Sequence, residues 1–519
     1  MRWTAEGVEY AEKSMNRFFT IAIFVAFTID ARGAEPTATT LLALQEQMRT
    51  MIDAAEPSVV AIVVSSNAKY PVRNESKPWQ LGTYQKLARQ LPGFAQERDR
   101  LDLEDVRNIP DNSFATGVVI DSAGLILTNY HAIDGARKIY VRFSGGGGSY
   151  ADIHAADARS DLAVLKLIDV GMKLKAVKFA DVQLYDQPGG AKANVYRGMW
   201  VLSLAHPFAS GFADGQPSAS WGILSNVRRR VASAGSEEQR QGFLHQYGSL
   251  LQTDARLNFG CSGGALLNLN GELIGLTSSV AAVTGSEASG GYAIPIDPIY
   301  RGIIEALKEG TEVEYGFLGV APGGMSIDER RPGLLIGATT VNTPAGLANL
   351  RQGDIIQAVN GAPIREPDDL FLQVGGSLAG SSIILSIQRD QKKINAKIRL
   401  AKFLHPHPWI ASNQPAAVHG LRVDYSSLLA QQQVFGPGFR MTSAQNGVIV
   451  RELIPKSAAE ASFKKLVNPQ SRWLITAVNG KEVRTPAEFY AEAGRNRTAT
   501  LTVSNAMEPN GESQTITLP

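Results

Sequence analysis

Cysteine is almost missing from this sequence: Cys261 is the only one among 519 residues. No intramolecular disulfide can form, and no cysteine-cluster zinc module can be built. Histidine is scarce as well, seven in all, and none falls in an HExxH pattern. Neither sign of charge is in excess, with 51 Lys and Arg against 49 Asp and Glu. Without a basic surplus there is little to neutralise phosphates, which argues against a nucleic-acid binder. Long apolar runs are also lacking: Phe18 to Phe27 is a run of ten, where about 20 are needed to span a bilayer. What is present is a globular composition, 44% hydrophobic and 19% charged, too apolar for a disordered chain. Fifty glycines and 25 prolines suit many short strands joined by turns. The length predicts three or four domains.

The run Phe18–Phe27 follows Arg17 and precedes Ala31-Arg32-Gly33. This reads as a secretory signal over residues 1–34, with a buried helix as the rival. Glu6, Glu9 and Glu12 do not suit a positively charged leader, and a start at Met15 gives a more conventional one. The expectation is an exported protein of the periplasm or cell envelope.

From Pro57 to Tyr300 the chain alternates short apolar runs with turn residues, as in Ser58–Val64, Leu125–Thr128, Leu162–Leu167 and Leu273–Leu276. Such spacing predicts a barrel or sandwich. Two polar excursions interrupt it, a long insert over 65–112 and a shorter one at Ser233–Gln241. Ser144-Gly-Gly-Gly-Gly-Ser149 lacks the Lys-Ser/Thr of a phosphate loop and reads as a hairpin tip. Ile303–Lys308 predicts a short helix closed by Gly310. Two related segments follow, each with an apolar strand ending in Asn-Gly, at Asn360-Gly361 and Asn479-Gly480. Asn-Gly there is a strong hairpin signal. A repeat offset of 119 residues implies duplicated domains, not solenoid units. Each copy then enters a predicted helix, Pro367–Val374 and Pro486–Ala493. Between them lies Phe403–Pro415, whose His405-Pro-His407-Pro run reads as a linker and not a metal tract.

The stretch Gln252-Thr-Asp-Ala-Arg-Leu-Asn-Phe-Gly-Cys-Ser262-Gly-Gly264 is the most informative. A serine held between glycines lets backbone N–H groups converge where an oxyanion would form. A hydroxyl is a weak nucleophile and needs an oriented base. Thr128-Asn-Tyr-His131 ends one strand with a histidine, and Ser160-Asp161-Leu-Ala-Val-Leu heads another with an aspartate. Alone, the first is more often structural and the second a turn former. Their order with Ser262, within one β-rich region, is that of the chymotrypsin-type triad.

On these residues, and on Gly117-Val-Val-Ile-Asp, Val201-Leu-Ser-Leu-Ala-His-Pro-Phe208, Gly271-Glu-Leu-Ile-Gly-Leu and Gly291-Tyr-Ala-Ile-Pro295, the chain resembles the HtrA (Deg) family. That family joins a trypsin-like serine protease domain to C-terminal PDZ domains. The resemblance implies a mainly β fold: a chymotrypsin-like double β-barrel over 50–310, a first PDZ domain over 313–402, a linker over 403–417, and a divergent α+β PDZ-like domain over 418–519. It implies His131 as general base, Asp161 as its orienting partner and Ser262 as nucleophile, with the N–H groups of Gly260 and Ser262 as oxyanion hole. No cofactor or metal is implied. Tyr315-Gly-Phe317-Leu318-Gly319-Val320 resembles the loop that receives a peptide's C-terminal carboxylate. The implied function is a serine endopeptidase acting on unfolded or damaged exported proteins through an acyl-enzyme, as a homo-oligomer of trimers or their multiples. The rival is a non-proteolytic, chaperone-like client binder with a protease-like body; the complete triad speaks against it.

The family pattern is broken in places. Cys261 stands where Asn is usual and is expected to act as a small, partly buried residue. Arg256 stands near the base of the primary specificity pocket, and the sequence leaves open whether it enters the pocket or points to solvent. With no acid there, a preference for Lys or Arg is not expected. The second PDZ-like copy reads Gly420-Leu-Arg-Val423 in its loop and Arg472-Trp473 where the first has Gly353-Asp354.

Overall fold

A computed structural model describes residues 38–65, 114–171, 173–186, 191–211, 214–230, 242–278, 290–326, 332–431, 445–466, 472–506 and 512–519. The expected signal segment, the start at Met15, the insert beyond Ser65 and Ser233–Gln241 lie outside these residues. The chain divides after Met51, within a helix, Ala38–Ala55, that the sequence patterning did not single out.

Residues 59–167 form six strands: β1 Val59–Ser65, β2 Phe114–Asp121, β3 Leu125–Thr128, β4 Lys138–Arg142, β5 Gly148–Asp157 and β6 Leu162–Leu167. Their antiparallel pairing runs β5-β4-β1-β2-β3-β6 and closes because β6 also pairs with β5. All of β1 is buried, so it carries a continuous apolar run where a one-sided strand would alternate. Six further strands close a second barrel: β7 Trp200–Ala205, β8 Ser218–Arg229, β9 Leu250–Thr253, β10 Ala265–Leu267, β11 Leu273–Ser278 and β12 Gly291–Pro295. Closure pairs the strands on both sides over most of their length. Each barrel has its own apolar core, around Val60, Ile62, Ile126 and Leu165 in the first and Val201, Leu224, Leu251 and Ile274 in the second. The chymotrypsin-like expectation is met.

The helix Pro298–Lys308 then packs its Tyr300, Ile303, Ile304 and Leu307 face inward. Asp297 caps it by accepting the Tyr300 N–H at 3.0 Å, and burial pushes that carboxyl up to about 6. The two repeats fold alike. Strands Val320–Met325, Leu334–Thr339, Ile355–Val359, Ser382–Arg389 and Lys392–Arg399 stand in one sheet. Leu421–Tyr425, Val448–Leu453, Trp473–Val478, Ala499–Asn505 and Gln514–Leu518 repeat that order. The helices Pro367–Gly375 and Pro486–Ala493 occupy matching places. The Asn-Gly turns have positive φ at both residues, 48° and 84° in the first copy and 52° and 78° in the second, as a type I′ hairpin requires.

The linker differs from expectation. Trp409–Ala411 is a strand, antiparallel to Ala155–Asp157 of β5. Of β5, strand β4 pairs only with Gly148–Ala151, so the far half of β5 would otherwise present an open edge, and the segment between the two repeats covers it.

Candidate active site

The serine-bearing loop is stitched to both barrels. From β2, the Thr116 N–H donates to the Ser262 carbonyl and the Thr116 hydroxyl to the Gly260 carbonyl, both at 2.8 Å. From β11, the Thr277 hydroxyl donates to the Cys261 carbonyl at 2.5 Å, and Thr277 O accepts the Gly263 N–H at 2.8 Å. Gly263 has φ +84°, and a Cβ there would lie 2.0 Å from the Thr116 carbonyl oxygen. Only glycine fits so close an approach. Phe208 N–H donates to the Phe259 carbonyl at 2.8 Å. Because the peptide unit is planar and trans, the Gly260 N–H of that unit points the opposite way.

Onto this frame the structure brings the three predicted side chains together in one line. His131 Nε2 lies 3.0 Å from Ser262 Oγ. His131 Nδ1 lies 2.9 and 2.8 Å from the two Asp161 oxygens. A carboxylate can only accept, so Nδ1 carries the proton and Nε2 is left to accept from the serine hydroxyl. Asp161 is fixed in turn. Its Oδ1 accepts the His131 main-chain N–H at 2.9 Å, and the Asn129 side-chain amide donates to its carbonyl at 3.0 Å and its Oδ2 at 3.3 Å. Asp161 has φ 58°, an uncommon conformation for a non-glycine residue that its surroundings must hold. Ser262, Asp161 and Asn129 are buried, while the His131 side chain is 39% exposed and reachable from solvent.

Burial of the His131 ring lowers its pKa, but the charge of Asp161 and its hydrogen bond outweigh this, so the pKa stands above that of a free imidazole. A base must be neutral to take a proton. Peptidase activity is therefore expected to appear as pH rises through a midpoint above about 6.5. A kcat/KM profile whose acid limb falls below that value would contradict it.

Several contributors were not legible. Thr116 and Thr277 are common strand residues and Asn129 follows the end of β3; the partners of all three lie on other elements. Arg256 is exposed, and its main-chain N–H donates to Ser220 Oγ at 2.8 Å. Leu257 instead packs against the second barrel, where a Cβ on Gly291 would meet its Cδ1 at 2.2 Å. Cys261 is buried, its Sγ accepts the Asn258 N–H at 3.3 Å, and burial pushes the thiol up. It stays protonated and poorly nucleophilic. Cys261→Ser should keep casein cleavage within about threefold of wild type, since serine is close in size and its oxygen can accept the same Asn258 N–H; initial rates check this.

In the first repeat, the carbonyls of Leu318 and Gly319 accept from Ala345 and Thr340 at 2.9 and 3.0 Å. The N–H groups of Gly319 and Val320, in the same peptide units, are directed away from those partners. Gly319 has φ +86°.

A trypsin-like peptidase domain model matches residues 115–276, and a PDZ domain model matches residues 323–400. The chain is 30% identical over 307 residues to the "Putative serine protease HhoA" of Synechocystis sp., covering 56% of this chain and 71% of that one. It is 28% identical over 399 residues to the "Periplasmic serine endoprotease DegP" of Escherichia coli, covering 72% and 76%. A "Probable periplasmic serine endoprotease DegP-like" protein of Pseudomonas putida is 28% identical over 474 residues, covering 88% and 90%. The chain thus belongs to the HtrA (Deg) family and is an exported, periplasmic serine-type endopeptidase with a PDZ domain.

Proposed function

We propose that His131, Asp161 and Ser262 are the catalytic triad and that cleavage runs through an acyl-enzyme on Ser262. The hydroxyl proton passes from Ser262 Oγ to His131 Nε2 as Oγ bonds to the peptide carbonyl carbon. The carbonyl electrons move onto oxygen, which the N–H groups of Gly260 and Ser262 receive. The intermediate collapses, the C–N bond breaks, and the imidazolium returns its proton to the leaving amine. Water then repeats the sequence against the ester. Asp161 keeps its charge throughout and stabilises the imidazolium. The observation that carries this reading is the 3.0 Å contact from His131 Nε2 to Ser262 Oγ, with Nδ1 on Asp161.

The substrates are unfolded or damaged exported proteins, whose extended segments can enter a cleft between two barrels. The loop Phe317-Leu318-Gly319-Val320 of the domain over 313–402 receives a C-terminal carboxylate, favoured by the direction of its N–H groups. Residues 50–310 are the protease domain and 418–519 a second, PDZ-like domain. The chain works as a homo-oligomer. Casein or denatured lactalbumin should be digested by the wild type and not by Ser262→Ala. A fluorophosphonate should label Ser262 in the wild type alone. Digestion by Ser262→Ala at the wild-type rate would refute the assignment.

A further inference from the structure

The Asp161 carboxylate sits at the end of a tight turn, Asp157-Ala-Arg-Ser-Asp161, and much of what holds that turn comes from outside the barrels. Asp157 is fully buried. Its Oδ2 accepts from the Ser160 N–H at 2.8 Å, from the Ser160 hydroxyl at 2.6 Å, and from the Tyr315 hydroxyl. Tyr315 belongs to the stretch that opens the first PDZ domain. Arg159 is 3% exposed, and among the described residues its Nε and Nη1 have no hydrogen-bond partner. Its guanidinium lies instead over two rings, 4.4 Å from the centroid of Tyr315 and 4.7 Å from that of Phe403. Those residues flank the PDZ domain on either side, and the Phe403 N–H donates to the Tyr315 carbonyl at 2.7 Å. A buried guanidinium with two unpaired nitrogens is costly unless an aromatic face compensates.

The backbone of the same turn is gripped by the segment after Phe403. Ala158 N–H donates to the Pro408 carbonyl at 3.0 Å, and Ser412 N–H donates to the His154 carbonyl, also at 3.0 Å. Between these, Ile410 stands opposite Ala156, on the strand edge that faces β5. Within the turn, Asp161 N–H donates to the Ala158 carbonyl at 3.2 Å. The chain from Pro408 to the Asp161 main chain is therefore two hydrogen bonds long.

We infer that Tyr315 and the Phe403–Ser412 strap are positioning elements of the protease: they hold the Asp157–Asp161 turn so that Asp161 addresses His131. The first PDZ domain and the segment after it are then part of what completes the active centre. This rests on the triad reading above. If the turn loosens, Asp161 loses its left-handed conformation, His131 loses its orienting acceptor, and turnover falls with no change in substrate affinity. The titratable neighbours that act on this pair are His245, Tyr130 and Tyr300, and none of them is substituted below; Tyr315→Phe reaches the pair only through the Asp157 hydrogen bond it removes.

Two full-length variants test the inference. Tyr315→Phe removes one hydroxyl and keeps the ring beneath Arg159. Ile410→Pro removes a strand N–H and leaves Tyr315 intact. Activity is read on a short peptide p-nitroanilide, which has no C-terminal carboxylate to occupy a PDZ domain, and is normalised to sites labelled by a fluorophosphonate. Expected for both is a kcat lowered roughly ten- to a hundredfold, as misplacement by about 1 Å produces, with KM within twofold. The acid limb of the pH profile should also move to lower pH, because His131 no longer feels a correctly placed carboxylate. Unfolding alone reduces the labelled fraction and cannot move the limb. Wild-type kcat per labelled site with an unmoved limb in both variants would overturn the inference. Ser262→Ala, run beside them, separates the two readings: hydrolysis surviving in it overturns the triad itself, whereas an inert Ser262→Ala beside unaffected strap variants overturns only the positioning role.

Discussion

Asp161→Asn is expected to lower kcat roughly ten-thousand-fold while leaving the fold intact. The reason lies in the hydrogen-bond arithmetic around the ring. Asp161 presents two acceptors, taken by His131 Nδ1 and by the His131 main-chain N–H, while Asn129 donates to Oδ2. An asparagine offers one oxygen and one NH2. The oxygen is claimed by the main-chain N–H, and the NH2 would face Nδ1 and stabilise the tautomer that protonates Nε2. A histidine with a proton on Nε2 donates toward Ser262 and cannot take its proton. The substitution also removes the charge that holds the imidazole pKa up, so the residual activity should show an acid limb displaced to lower pH. Pre-steady-state acylation of the variant, compared with wild type at equal labelled-site concentration, checks the size of the loss. A variant within tenfold of wild type would mean that Asp161 does not set the tautomer.

How far the site was legible depends on how local each interaction is. Leu125–Thr128 and Leu162–Leu167 match the predicted runs residue for residue, because four to six apolar residues between turn signals have one economical solution. His131, Asp161 and Ser262 stand out because each adjoins such a run, and their order restricts the chemistry. Thr116 and Thr277 carry no comparable signal. Threonine is an ordinary strand residue, and its hydroxyl matters here only because β2 and β11 meet at the serine loop. Arg159 carries no local signal either, standing in a turn between Asp157 and Ser160. Its burial follows from Tyr315 and Phe403, more than 150 positions away in sequence, closing over it. Trp409–Ala411 is three residues long and follows two prolines, so its pattern is too short to mark a strand. It becomes one because β5 outlasts β4 and leaves an edge to fill. The Asn-Gly hairpins and the helix Pro486–Ala493 lay at the other extreme, where turn chemistry and capping decide the structure within a few residues.

The second large effect is expected at Lys402, where the segment that leaves the protease, the first PDZ domain and the second repeat share one largely buried ionic cluster. Lys402 Nζ lies 2.8 Å from Glu312, 2.9 Å from Glu314 and 2.9 Å from Asp424. Arg451 adds a second cation, 2.8 Å from Glu312 and 3.5 Å from Asp424, with its guanidinium 5.4 Å from the Trp409 ring. Burial alone would pull the Lys402 amine down, yet three carboxylates more than offset this and hold it charged. Two cations thus answer three carboxylates at a site where the Lys402 side chain is 6% exposed. Lys402→Met keeps the apolar stem but leaves the carboxylates with one partly exposed guanidinium between them. Breaking a buried pair from one side typically costs about 3–5 kcal/mol, and the first unfolding transition in urea should move to lower concentration accordingly. The charge origin of that loss is separable from packing. Adding Glu314→Gln and Asp424→Asn to Lys402→Met removes the uncompensated charge, and should recover more than half of the lost stability. If the triple variant is no more stable than Lys402→Met alone, the lysine acts through its packed stem, and the cluster does not join the three units electrostatically.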